Sequence, residues 1–336
     1  MLSLRLPLAL EGGAFVLPAD GRIAVLGPAA GTDLGCLPQE RVHVIQGFRP
    51  DRDFFADRGL ETGVAPEGDY CAAIICLPRS RSAALAMLAL ATAHLPLGAP
   101  IVVDGQKTDG VDSMLRLLRT RTDTGPALSK AHGKLFVFAS PGADVLADWA
   151  AAPIHLASGF QTWPGVFSAD GVDPASALLA AALPDRLPAT VVDLGAGWGY
   201  LSAAILARQR VEQLHLVEAD HAALSCAKVN ITDPRAQFHW ADATTFTLPV
   251  PVEAVVMNPP FHSGRAADPA LGQAFIAAAA RLLRPQGVLW LVANRHLPYE
   301  DVLRQRFREV EAVGGTPAFK LLRASKPAAP LSGRRG

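Results

Sequence analysis

Apolar and polar positions in the second half of the chain alternate between two periods. TVVDLGAG (190–197) is a short apolar run ending in glycines, LSAAILARQ (201–209) has helical spacing, QLHLVEAD (213–220) reads as a strand and HAALSCAKVN (221–230) as a helix. FHWADA (238–243) and VEAVVMNPP (252–260) continue the strands, followed by a helix through GQAFIAAAARLL (272–283), a Pro-Gly turn and the strand VLWLVAN (288–294). Short strands spaced by helices of this length imply right-handed crossovers and a doubly wound, mostly parallel sheet.

The first half repeats this order. RIAVLGPAAG (22–31) parallels TVVDLGAGWG, RVHVIQGFRPD (41–51) parallels QLHLVEADHA, and CAAIICLPRS (71–80) parallels EAVVMNPPFH. Each half then runs through an alanine-rich helix and a turn, LPLGAP or RPQGV, into a further strand. An internal duplication of this kind predicts two similar α/β domains, 1–157 and 158–330 with a tail at 331–336. The boundary falls in WAAAPIHLASGFQTWPG (149–165), where tryptophans and prolines interrupt the periodicity.

With 336 residues and half of them hydrophobic, the chain has material for two cores. Its richest apolar stretch, starting at Ala83, is broken by His94, Pro96 and Pro100, so no membrane span is expected. Arg5 and Pro7 interrupt the N-terminal apolar run, which argues against a signal peptide and for a cytoplasmic protein. Cys36, Cys71, Cys76 and Cys226 form neither CxxC pairs nor clusters with His; they read as buried thiols, with no metal site expected. Formal net charge is zero, yet residues 281–336 carry eleven Lys or Arg against four Asp or Glu. That surplus is either a surface for phosphates or a solvated helix face and tail.

Gly195, Gly197 and Gly199 lie between a predicted strand and helix, where missing side chains let a ligand approach the backbone. The spacing G-x-G-x-G differs from the dinucleotide pattern G-x-G-x-x-G, and Asp193 stands ahead of it. A carboxylate there would repel a pyrophosphate and suit an ammonium group. Glu218, ending the next strand, is placed to accept from ribose hydroxyls, and Asp242, after the third, from an adenine amino group. Ammonium, ribose and adenine together describe S-adenosylmethionine. In the first half Val25 matches Asp193 and Gln46 matches Glu218, so that domain is expected to be empty.

VVMNPPFHSG (255–264) closes a strand on two prolines, which cannot donate to a sheet ladder. Pro259 also pushes Asn258 out of helical angles, giving a stiff corner at the strand's end. There the Asn258 side-chain oxygen and the Pro259 carbonyl can each accept one N–H of a ring-conjugated amine, while Phe261 offers a face for a planar base. The bland alternative is a structural turn. His262 reads as a surface histidine rather than a proton acceptor, Phe167 as a cofactor cover or a core residue, and Trp198 as packing at a helix start.

DLGAGWG followed by NPPF resembles the class I S-adenosylmethionine-dependent amino-methyltransferases. PGVFSADGVDPASALLAAAL, NPPFH, LVANRHLPYEDVLRQRF and FKLLRA are further similar to the ribosomal RNA guanine-N2 methyltransferases, above all the small-subunit enzyme, and IVVDGQKTDGVDSMLR is similar to a segment of that family's degenerate N-terminal domain. The resemblance spans nearly the whole chain and implies two tandem Rossmann-like methyltransferase domains, the first degenerate. It implies cofactor roles for Asp193, Gly195, Gly197, Glu218 and Asp242, base-holding roles for Asn258, Pro259 and Phe261, and a monomer acting on ribosomal RNA, within the small subunit. One departure, Ala175-Ser176 where the family usually has Gly-Ser, puts a cofactor contact by Ser176 in doubt. The rival readings are a large-subunit guanine, adenine N6 or a protein glutamine amide as target, a non-catalytic RNA-binding assembly protein and, more distantly, a nicotinamide dehydrogenase.

Overall fold

The computed structural model describes residues 2–260, 262–263, 266–267 and 269–328. Contacts divide the chain into two units. One runs from the N-terminus to Ile154 and takes in Trp163–Gly165; the other comprises His155–Thr162 and the chain from Val166 onward. Among the described residues no helix is long and apolar enough to cross a membrane.

The first unit begins with α1 (Leu2–Glu11) and contains β1 (Ile23–Leu26), β2 (Val42–Ile45), α2 (Arg49–Ala56), β3 (Glu61–Gly63), β4 (Ala72–Cys76), α3 (Arg81–Ala93), β5 (Pro100–Gln106), α4 (Val111–Leu118), β6 (Leu128–Lys130) and β7 (Gly133–Ala139). Its sheet has the order β3-β2-β1-β4-β5-β7-β6, with β7 antiparallel to both its neighbours. Leu2, Leu6 and Ala9 of α1 are buried, and Arg5, fully buried among them, donates to both Asp104 oxygens. A guanidinium so placed needs such a partner, since an unpaired buried charge costs several kcal/mol or more.

Two short strands, β8 (Ile154–His155) and β9 (Gln161–Thr162), lie at the junction in sequence. The second unit then runs α5 (Pro174–Ala182), β10 (Thr190–Leu194), α6 (Tyr200–Leu206), β11 (Gln213–Glu218), α7 (His221–Asn230), β12 (Ala236–Trp240), β13 (Val252–Met257), β14 (His262–Ser263), β15 (Ala266–Ala267), α8 (Pro269–Leu282), β16 (Leu283–Asn294), α9 (Tyr299–Arg306), β17 (Phe307–Gly315) and β18 (Phe319–Pro327). Its order, β12-β11-β10-β13-β16-β18-β17, repeats that of the first sheet, with β18 antiparallel to β16 and β17. Val192 and Leu194 of β10 and Val255, Val256 and Met257 of β13 are fully buried. Each such side chain contributes roughly 1.5–3 kcal/mol, so the central strands form a rigid floor under whatever their carboxyl ends carry.

Strand register makes the duplication residue-specific. Leu194 pairs with Val217 as Leu26 pairs with Ile45, and Gly195 N donates to Val217 O at 2.9 Å as Gly27 N does to Ile45 O at 2.9 Å. Val25 therefore stands where Asp193 does, Gln46 where Glu218 does, and Cys76 where Asn258 does.

The two halves differ after the first glycine. Where the second unit has α6, the first has only a single 3-10 turn at Gln39–Arg41 before β2, because Pro28, Gly31, Gly35 and Pro38 break any helical run. The cysteines also depart from expectation: only Cys226 is buried, Cys71 and Cys76 are half-buried, and Cys36 is exposed.

Candidate active site

The glycine loop leaves β10 through three positive-φ residues, Gly195 (+82°), Gly197 (+56°) and Gly199 (+96°), a region that side chains avoid. A Cβ on Gly197 would meet nothing within 4 Å, so that face of the loop is open. Behind it lies Asp193, fully buried. Its Oδ2 accepts from Ser202 Oγ at 2.6 Å, while Oδ1 is buried with no partner among the described residues. Burial, only partly offset by the Ser202 bond and reinforced by the nearby Glu218 charge, pushes the carboxyl up to about 7.

Glu218 ends β11 and holds the loop from the other side. Its Oε2 accepts from Gly197 N at 2.8 Å and its Oε1 from Asp220 N at 2.8 Å. Burial raises its pKa above the ordinary glutamate value. Asp242 lies two residues beyond Trp240, the register partner of Glu218, and its Oδ1 accepts from Thr244 N and Oγ1 at 2.7 Å each.

β13 delivers the corner. Pro259 is buried and Pro260 exposed. Asn258 Nδ2 donates to Asp173 Oδ2 at 2.9 Å and to Ser176 Oγ at 2.8 Å. Its Oδ1 is buried with no partner among the described residues. Phe261 and the side chain of His262 lie outside the described residues.

One pocket joins loop and corner: Gly195, Ala196, Gly197 and Trp198 line it together with Asp173, Ser176 and Asn258, and Phe167, Ser168, Tyr200 and Leu201 complete the wall. Asp193, Glu218 and Asp242 are not part of that lining; Glu218 reaches it through its bond to Gly197, and Asp193 sits beneath the loop. Phe167 is 64% exposed, so it does not join the core. Trp198 is buried against Phe160 and Tyr200, and its Nε1 donates to the Phe167 carbonyl at 3.0 Å. It thereby ties the glycine loop to the segment that presents Phe167, which is more than packing at a helix start.

Two site residues were not assigned from sequence. Asp173 gives no signal beyond a helix cap ahead of Pro174, and its bond to Asn258 spans 85 positions. Ser176, whose cofactor contact the sequence leaves in doubt, lines the same pocket and accepts from Asn258 Nδ2.

Several of the C-terminal basic residues pair with acidic neighbours. Arg304 pairs with Asp301, Lys320 with Glu300, Arg323 with Glu311 and Lys326 with Glu309. Arg334 and Arg335 lie outside the described residues. These pairs engage all four acidic residues of 281–336, so the basic surplus of the segment persists.

The two orphaned oxygens decide what fits. A buried acceptor without a donor is costly, so Asp193 Oδ1 calls for a cation or donor beneath the loop and Asn258 Oδ1 for a donor at the corner. An amino acid ammonium and an exocyclic amine have that chemistry.

Residues 157–323 match the model of the methyltransferase small domain family. The chain is 30% identical over 263 residues to the ribosomal RNA small subunit methyltransferase C of Shewanella sp. (strain MR-4), covering 75% of this chain and 76% of that one. The namesake protein of Psychromonas ingrahamii is 29% identical over 258 residues, 74% of each chain. The fold is similar to that of the T. thermophilus 16S rRNA N2 G1207 methyltransferase solved in complex with AdoMet and guanosine, with a TM-score of 0.76, 25% identity, and coverage of 93% of this chain and 90% of that one.

Proposed function

The chain belongs to the ribosomal RNA small subunit methyltransferase C family, and from that premise we propose that it methylates the exocyclic N2 of a guanine in small-subunit ribosomal RNA, using S-adenosylmethionine. The observation that carries the reading is the pair of buried, donor-seeking oxygens, Asp193 Oδ1 and Asn258 Oδ1, one beneath the glycine loop and one at the corner.

S-adenosylmethionine supplies an electrophilic sulfonium methyl. The residues that would hold it are Asp193 for the ammonium, Gly195 and Gly197 for close backbone approach, Glu218 for the ribose hydroxyls and Asp242 for the adenine amino group. The ionised form of Asp193, disfavoured by burial, becomes favourable once a cation sits against it.

At the corner, Asn258 Oδ1 and the Pro259 carbonyl each accept one N–H of the target amine. An amine conjugated to a guanine ring has a delocalised lone pair and attacks poorly. Two fixed acceptors bias electron density toward that nitrogen and restrict its rotation, so the chain contributes alignment and preorganised electrostatics rather than a strong base. Phe261 and the exposed Phe167 supply aromatic faces for the planar base.

In the first unit the equivalent place lacks these groups. Val25 offers no charge, and Gln46 turns an N–H to the Pro28 carbonyl at 2.8 Å where Glu218 accepts from Gly197. We assign it no cofactor and a role in holding RNA or supporting the catalytic domain; the protein acts as a cytoplasmic monomer on the small subunit.

The test is nucleoside analysis of ribosomal RNA from cells lacking the protein. Loss of N2-methylguanosine from small-subunit RNA is the expected result; an unchanged level, with loss of a different methylated nucleoside, would replace the proposal with a rival target.

A further inference from the structure

Asn258 can present either edge of its amide, and the two edges have opposite uses. With Oδ1 toward the target the amide accepts from an amine; turned over, it would point two N–H groups at that amine and oppose its attack. Asp173 and Ser176 decide between them. The Asp173 carboxylate, when ionised, can only accept, and its Oδ2 lies 2.9 Å from Asn258 Nδ2. Ser176 Oγ, 2.8 Å from the same nitrogen, takes the second N–H. Both Asn258 donors are then used, and the orphaned Oδ1 is left as the edge available to substrate.

Asp173 is itself held: Oδ2 also accepts from Ser176 N at 2.8 Å, capping α5 behind Pro174 at the helix start. Ser176 is 8% exposed. The acceptors are thus built on the first turn of a helix.

We infer that Asp173 and Ser176 are positioning residues that lock the Asn258 amide in its accepting orientation. The inference rests on the reading of Asn258 as the amine acceptor. It adds that the negative charge of Asp173, one hydrogen bond behind the amide, polarises Asn258 and strengthens Oδ1 as an acceptor.

Exchanging the two partners tests this. Asn258→Asp sets two carboxylates against each other at the Asp173 contact, so one must bind a proton, and kcat should fall by about a hundredfold. Adding Asp173→Asn gives the new carboxylate a donor, at the expense of the Ser176 N–H bond that shares the same Asp173 oxygen, and the double variant should turn over at least about tenfold faster than Asn258→Asp alone. Asp173→Asn alone, which removes the charge and leaves an amide that can donate as well as accept, should lower kcat by about tenfold. Ser176→Ala leaves the cap intact and should lower kcat by about threefold, with KM for S-adenosylmethionine within about twofold. Melting temperature and cofactor binding of each variant establish that it is folded.

A double variant that is folded and binds cofactor yet is no faster than Asn258→Asp overturns the lock, as does Ser176→Ala with parental kcat. Asn258→Ala with parental kcat would overturn the underlying reading of the corner, so the two failures are distinguishable.

Discussion

Asp193 and Ser202 share a 2.6 Å hydrogen bond through Oδ2, while Oδ1 of the same carboxylate is buried and has no partner among the described residues. The half-satisfied carboxylate has its pKa raised from 3.8 to about 7, chiefly by burial. Between those values the folded chain retains a proton that the unfolded chain releases, so without cofactor the stability contributed by this group is fully present below about pH 4 and is lost as pH rises toward 7. Asp193→Asn should flatten that dependence, which thermal denaturation from pH 5 to 8 would show; equal slopes for both proteins would contradict it.

The same group governs cofactor affinity. An ammonium requires the ionised form, so S-adenosylmethionine binding should weaken by about tenfold per pH unit below the raised pKa. Calorimetry in buffers of different ionisation heat should reveal a proton released on binding. Affinity that stays constant from pH 5 to 8 would remove Asp193 from the site.

Only the second unit carries both Asp193 and Glu218, and the register places Val25 and Gln46 at their equivalents. Titration should therefore give one cofactor per chain. Glu218→Ala should weaken it by about 1–3 kcal/mol, the range for lost hydrogen bonds to a charged group. Two comparable sites would show that the first unit is not empty.

Asn258→Ala should leave cofactor affinity near the parental value and reduce kcat by about a hundredfold or more, the scale of one preorganised contact. Measuring kcat and cofactor Kd on the same preparation separates chemistry from binding. Parental turnover would make the corner a structural turn.

Two acceptors, Asn258 Oδ1 and the Pro259 carbonyl, match the two N–H groups of an unmodified amine. After one transfer a single N–H remains, and rebinding the product leaves one acceptor unpaired at a cost of about 1–3 kcal/mol. The product should be monomethylated, and mass analysis after prolonged reaction that finds mainly dimethylguanosine would rule out the two-acceptor arrangement.

What was legible in the sequence follows from how local each constraint is. Gly195, Gly197 and Gly199 announce themselves because positive φ demands a residue type, and Pro259 because a strand cannot continue through it. The strand and helix order was readable from periodicity, yet β17 and β18 were not assigned, since β17 is exposed along most of its length and shows no clear alternation. The Asp173 and Ser176 contacts were hidden because they depend on α5 meeting the end of β13. Which of the C-terminal charges pair was hidden because antiparallel register sets it, as where it brings Glu311 opposite Arg323. Trp198 looked like packing because nothing local says that its N–H finds the Phe167 carbonyl, 31 residues away.

The most direct test is transfer of labelled methyl from S-adenosylmethionine to 30S particles, 50S particles, free ribosomal RNA and protein amide substrates, the RNAs taken from cells lacking the protein, with nucleoside identification of the product. The expected result is label in N2-methylguanosine at one position of small-subunit RNA, abolished by Asn258→Ala. Label confined to N6-methyladenosine, to large-subunit RNA or to a protein glutamine would contradict it.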